Sequence, residues 1–200
     1  VITGRDAGRA QQVAAEIGTG VRGLALELTD ASSVRGALAD VEEVHALVIT
    51  AIDRDFNSVK DYDVTSATRL ALMKLVGYTE VAHVLADRLA ADASIVLFGG
   101  VAAFRPYPGS TTVTSVNGAV TAMVRTMASE LAPVRVNALH PGIVGDSPAW
   151  ADKDVSYAVS RTPIGRTVTM AEVVDATLFL LDNGGINGHN LVVDGGSLVG

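Results

Sequence analysis

Residues 94–120 read SIVLFGGVAAFRPYPGSTTVTSVNGAV, and how this stretch folds decides the class of the whole chain. Ser94-Ile95-Val96-Leu97-Phe98 is a short apolar run that stops at Gly99-Gly100. Strands with one wet face alternate polar and apolar residues, whereas an unbroken Val/Ile/Leu run is covered on both faces. A loop follows, and then small residues set a helix over about 112–131. Buried strand, loop and helix in that order make up most of a βαβ unit.

The same order repeats outward in both directions. Towards the amino end, Val1-Ile2-Thr3, 21–27 and 45–50 read as strands, and 7–17 and 31–41 as helices. A polar loop through Asp53-Arg54-Asp55 leads into a long helix over about 62–90, with Leu70, Met73, Leu75, Val81, Val84 and Leu85 on a broad apolar face. Towards the carboxyl end come a strand at 134–139, a long connection at 140–170, a helix at 170–183 and a closing strand at 190–196. Strands that alternate with helices and lack polar alternation predict a doubly wound α/β fold around a parallel sheet. Two hundred residues without a linker fit a single domain, 1–200.

Composition narrows the function. Apolar residues make up 48% of the chain and charged residues 18%, which excludes a disordered segment. A net charge of −7 with no Lys/Arg cluster argues against nucleic acid or an anionic membrane as partner. No apolar run nears the roughly 18 residues needed to cross a bilayer. Cysteine is absent, which removes disulfides, zinc-thiolate sites and thiol nucleophiles and fits a cytoplasmic enzyme. His45, His83 and His189 show no spacing that would hold a metal, so none is expected.

One motif is a decoy. Gly18 to Gly23, GTGVRG, matches the G-x-G-x-x-G pattern of a dinucleotide loop. Such a loop must follow a strand and open a helix, so that backbone N–H groups meet the pyrophosphate. Here a helix ends before Gly18 and a strand begins after it, so Gly18 reads as a helix C-cap.

Several segments together resemble the short-chain dehydrogenase/reductase family. They are VITGRD at the start, LELTD (26–30), ELAPVRVNALHPGIV (130–144), TPIGR (162–166) and INGHNLVVDGG (186–196). The resemblance implies a Rossmann-like NAD(P)-binding domain. It also implies that the family's first strand, phosphate loop and first helix would precede Val1. That is about thirty residues, the size of one βα unit. Because that strand lies inside the family's sheet, its absence would open a gap roughly two strand spacings wide, near 10 Å, with unpaired backbone on both sides.

The resemblance further implies where a cofactor would lie. Arg5 and Glu27-Leu28 would border its adenosine half. Thr50 and Ala51 would follow the central strand, Gly99 would end the next, and Pro141, Gly142, Ile143 and Val144 would border the nicotinamide. A carboxylate after the second strand binds the ribose of NAD, whereas Arg neutralises the 2′-phosphate of NADP. Gly4 stands in place of the acid and Arg5 follows it, which favours NADP(H) over NAD(H). The alternative is that Arg5 is a solvated charge and Asp6 caps helix 7–17. Where the family often supplies a Thr to the carboxamide, this chain has Asp146 and Ser147.

The family's hydride-transfer set is Ser, Tyr, Lys and Asn, in which the cation makes the phenol a useful acid or base near neutrality. In this chain Gly100 stands at the Ser, Val113 at the Tyr, Asn117 at the Lys and Lys74 at the Asn. Three other residues could carry the chemistry: Lys74, a cation on the long helix; Tyr107, between Pro106 and Pro108; and His140, which titrates near neutrality. Lys74 and Tyr107 could act as a displaced cation–phenol pair. Each also has a structural reading, as a solvated Lys, a packing Tyr and a backbone-bonded His. Two functions follow. One is an NADP(H)-dependent oxidoreductase acting on a carbonyl or alcohol through non-standard residues. The other is a catalytically inactive relative that binds the cofactor or only assembles. Trp150 and Tyr157, in the connection 140–170, are expected to cover the substrate. The family implies a homodimer or homotetramer.

Overall fold

A computed structural model describes residues 1–53 and 55–200; Arg54, in the polar loop after the third strand, lies outside the described residues. Six strands alternate with helices in the expected order. The strands are β1 (Ile2–Gly4), β2 (Gly23–Ala25), β3 (Val44–Ile49), β4 (Leu89–Phe98), β5 (Arg135–Pro141) and β6 (Asn190–Val193). The helices are α1 (Ala7–Ile17), α2 (Ala31–Leu38), α3 (Val64–Ala71), α4 (Tyr78–Leu85), α5 (Thr111–Glu130), α6 (Ser156–Val159) and α7 (Met170–Asp182). Among the described residues no helix is long and apolar enough to cross a membrane.

Every strand pairing is parallel, and the sheet is divided in two. β1 pairs only with β2, while β3-β4-β5-β6 form a second sheet. Between them lies a cleft of about 570 Å³ whose walls include Val1 to Arg5 on one side and Val44 to Ile49 on the other.

Strand alternation explains the two faces. Ile95 and Leu97 of β4 pack with Tyr78, Val81, Leu85, Val120 and Val124, while Val96 points the other way, to Leu139, Val173 and Leu180. Side chains of Asp6, Asp30, Asp63 and Thr169 cap four helix starts by accepting backbone N–H bonds. The decoy motif resolves as expected: Gly18 has φ 137° and donates its N–H to Ala14 O, closing α1. Gly23 lets β2 approach α1 so closely that a Cβ would stand 2.3 Å from Ala10 O.

Two boundaries differ from expectation. The long helix of 62–90 is interrupted by a wide π turn, Leu72–Gly77, between α3 and α4, and ends in a short 3-10 turn, Ala86–Arg88. The π turn lies where Gly77 meets Leu28 O, which a Cβ would approach to 2.3 Å, and it buries Met73, Lys74 and Gly77. β4 begins at Leu89, not Ser94. Residues 89–93, LAADA, favour helix intrinsically, but pairing of Leu89 with Val44 draws them into the sheet ahead of an irregularity in register.

Candidate functional site

A second cavity, of about 690 Å³, opens at the carboxyl ends of β4 and β5. Its floor comes from the turns after those strands, including Val101, Ala102, Gly142 and Ile143, and from Val113 of α5. Trp150 and Tyr157 line it from the connection 140–170, as expected of a cover.

Of the four positions that the resemblance assigned to catalysis, Val113 belongs to this floor, and Gly100 and Asn117 meet behind it. Gly100 donates its N–H to His140 Nδ1 at 3.1 Å, and a Cβ there would sit 3.0 Å from Asn117 Nδ2. Asn117 is buried, and its Oδ1 has no hydrogen-bond partner. An orphaned buried carbonyl costs about 1–3 kcal/mol.

Lys74 is 0% exposed. Its Nζ donates to Phe98 O at 2.6 Å and to Tyr78 Oη at 2.9 Å, and Tyr78 Oη donates onward to Ala51 O at 2.8 Å. This chain of bonds ties the π turn to the ends of β3 and β4. Burial lowers the Lys74 pKa to about 7 and pushes the Tyr78 phenol well above its usual range. The expected Lys74–Tyr107 pair is therefore corrected: the phenol beside Lys74 is Tyr78. A Lys and a Tyr four apart on a helix face the same side, and that spacing is the signal that could have found it.

Tyr107 lies 52% exposed on the wall of the second cavity. Its backbone is fixed by Ser110, whose Oγ accepts from Tyr107 N and donates to Tyr107 O. His140 is fully buried against the edge of Phe104, with Nδ1 taking the Gly100 N–H and Nε2 bonded to Asn190 Oδ1 at 2.9 Å. Burial, assisted by the Lys74 charge, holds its pKa below the usual imidazole value against the pull of Asn190. With both nitrogens engaged, His140 is a buttress for the turn at Gly99-Gly100. Nothing in the sequence marked Asn190 as its partner.

The positions assigned to a cofactor fall into two groups. Arg5, Glu27, Leu28, Thr50 and Ala51 line the cleft between β1 and β3, while Pro141, Gly142 and Ile143 line the second cavity. Ile52 borders both cavities. Val144 bridges to Val168 just beyond it. Gly99 lines neither cavity; a Cβ there would stand 2.3 Å from His140 Nδ1, so its role is to admit the imidazole.

Charges gather over the cleft. Arg69 bonds Asp53 at 2.9 Å and Glu27 at 3.1 Å, and Arg5 reaches Asp53 only loosely, at 3.7 Å, with its side chain 61% exposed. Burial raises the Glu27 pKa, but bonds from Thr29 and Arg69 outweigh it and hold the carboxyl below its usual value. Asp6 caps α1, as the alternative reading of this segment expected. Asp146 accepts from Met170 N and Ser147 donates to Val144 O, so both serve the local backbone.

Comparison with known proteins gives a consistent result. A family model described as Enoyl-(Acyl carrier protein) reductase matches residues 1–197. The chain is 29% identical to "Inactive 2-(S)-hydroxypropyl-CoM dehydrogenase 2" of Xanthobacter autotrophicus, over 96% of this chain and 91% of the relative. It is 30% identical to L-xylulose reductase of Mus musculus, over 90% of this chain and 78% of that protein. A solved small-chain dehydrogenase in complex with NADPH superimposes with a TM-score of 0.82 at 25% identity, covering 94% of this chain and 93% of the other.

Proposed function

The chain belongs to the short-chain dehydrogenase/reductase family, and from that premise we propose that it is an NADP(H)-dependent oxidoreductase acting on a carbonyl or alcohol in the cavity beneath Trp150 and Tyr157. The observation that carries this reading is that the two sets of cofactor positions, Arg5 to Ala51 and Pro141 to Ile143, line two cavities that share Ile52 as a lining residue. A dinucleotide fits the donor set. The exposed, loosely paired Arg5 would take a 2′-phosphate, to which a guanidinium bonds more strongly than to a distant carboxylate. The cofactor supplies the hydride when bound. Of the three candidate residues only Tyr107 faces the cavity, and a phenol is a proton donor at neutral pH, so Tyr107 passes its hydroxyl proton to the carbonyl oxygen during reduction.

A second reading, cofactor binding without hydride transfer, is favoured by a separate observation. Lys74 and His140 are both buried and fully engaged in holding the backbone, so neither can reach a substrate. Titration with NADPH and NADH, followed by a carbonyl screen on the parent and Tyr107→Phe, separates the two. Tighter NADPH binding with turnover reduced about 10²-fold or more in Tyr107→Phe supports the oxidoreductase. Binding without any turnover supports the silent relative.

Assembly as a homodimer or homotetramer in the cytoplasm belongs to the same proposal. Leu72 and Val76, left exposed on the outside of the π turn, support it. Among the described residues, β1 and β3 each present an edge without a ladder partner on the cleft.

A further inference from the structure

We propose that the cavity beneath Trp150 and Tyr157 takes an organic anion, a small molecule with an apolar body and a carboxylate, sulfonate or phosphate at one end. The inference deepens the oxidoreductase reading and rests on it for the reaction, but not for the binding.

The chain carries a net charge of −7, yet three of its fifteen Lys and Arg residues, Arg105, Lys153 and Arg161, line this one cavity. The charged end of each rests against another residue of the same wall. Arg105 Nη1 donates to Ser197 O. Lys153 Nζ lies 5.0 Å from the centre of the Trp150 ring. The Arg161 guanidinium lies 5.0 Å from the centre of the Tyr157 ring, and it donates to the Tyr157 hydroxyl. A carbonyl or an aromatic face positions a cation without neutralising it.

Several cations elsewhere in the molecule are neutralised or more heavily engaged, although Arg22, like Arg105, donates to a single backbone carbonyl, that of Asp40. Arg35, Arg69 and Arg166 are ion-paired with acids, and Arg88 and Arg135 are engaged by several backbone carbonyls each. Among the described residues none of the three cavity cations has a carboxylate within 4.0 Å.

Two acids share the wall. Asp194 already accepts from Gly196 N, Leu198 N and Ser197 Oγ, while Asp55 accepts from Asn57 and keeps a second oxygen without a donor. The rest of the lining includes Val101, Ala102, Val113 and Ile143, which suits an apolar body. A volume of about 690 Å³ holds a small metabolite with room to spare. Unpaired cations in an apolar, partly enclosed space focus their field on an entering anion, and two guanidinium forks can each take an oxyanion through paired N–H bonds.

Trp150 is the single tryptophan of the chain and stands on the wall, so its fluorescence reports occupancy directly. The experiment titrates the full chain with hexanoate and with its neutral counterpart hexanamide, with and without NADPH. Hexanoate is expected to bind about tenfold or more tighter, and to weaken as salt is raised. Lys153→Gln and Arg161→Gln, both at exposed positions, should each weaken hexanoate severalfold and leave hexanamide unchanged. Equal affinity for the two probes, or hexanoate binding indifferent to both substitutions, overturns the inference. If NADPH fails to bind while hexanoate binds as described, the anion site stands and the oxidoreductase reading falls. If NADPH binds and hexanoate does not, the anion site falls, and turnover then decides between the two readings of the cofactor site.

Discussion

Replacing Lys74 with Met should stabilise the protein at low pH and leave it nearly unchanged at high pH. Lys74 is fully enclosed, and burial lowers its pKa from 10.5 to about 7. A base whose folded pKa lies below its unfolded value binds fewer protons folded than unfolded between those two values. Stability therefore climbs as pH rises from about 7 towards 10.5, and the full penalty applies below 7. The difference corresponds to about 5 kcal/mol at most. Met keeps nearly the same volume without the charge. It also gives up the bonds to Phe98 O and Tyr78 Oη, but Tyr78 still donates to Ala51 O and lies 3.3 Å from Phe98 O. That loss is about 1–2 kcal/mol.

Lys74→Met should thus gain about 3–4 kcal/mol at pH 6, a rise in Tm of roughly 6–16 °C for a domain of this size. At pH 9 the remaining penalty is about 2 kcal/mol and the gain falls to between zero and about 1 kcal/mol. Urea unfolding of both proteins at pH 6, 7.5 and 9 measures the difference directly. The series stops at pH 9 because Tyr78, whose pKa burial raises, makes stability fall again above its unfolded value near 10. A difference between the two proteins that stays constant from pH 6 to 9 refutes the reasoning.

Gly99→Ala should lower stability by about 1–3 kcal/mol, because its Cβ would stand 2.3 Å from His140 Nδ1 and displace the ring that holds Gly100; an unchanged melting curve contradicts that account. Gly100→Ser, Val113→Tyr and Asn117→Lys introduced together should raise NADPH-dependent carbonyl reduction about 10²–10⁴-fold over the parent chain, and an unaltered rate would mean these positions do not converge on the substrate. Amide hydrogen exchange should be faster along β1 and the cleft-facing edge of β3 than in β4 and β5, each of which is bonded on both sides; equal protection in all four rules out an open cleft.

Much of the fold was readable because it depends on local pattern. Unbroken apolar runs such as 94–98 can only be strands covered on both faces, and helices between them force a parallel sheet. The caps at Asp6 and Gly18 follow from residue type and position alone, and they exposed the decoy glycine motif. The expectation that Gly100, Val113, Asn117 and Lys74 stand at the family's catalytic positions came from the resemblance and concerns residue identity, not geometry.

What the sequence could not show are contacts between residues distant along the chain. The bond from Lys74 Nζ to Phe98 O spans 24 residues and forms where the π turn buries Lys74. The bonds of His140 to Gly100 and Asn190 join positions 40 and 50 residues apart. Arg105, Lys153 and Arg161 became one group only when the 140–170 connection folded back over the cavity. Periodicity and capping act within a few residues, so composition and spacing determined the fold class. Burial and charge clustering arise from long-range packing, and tertiary structure alone decided which side chains support the backbone and which face a ligand.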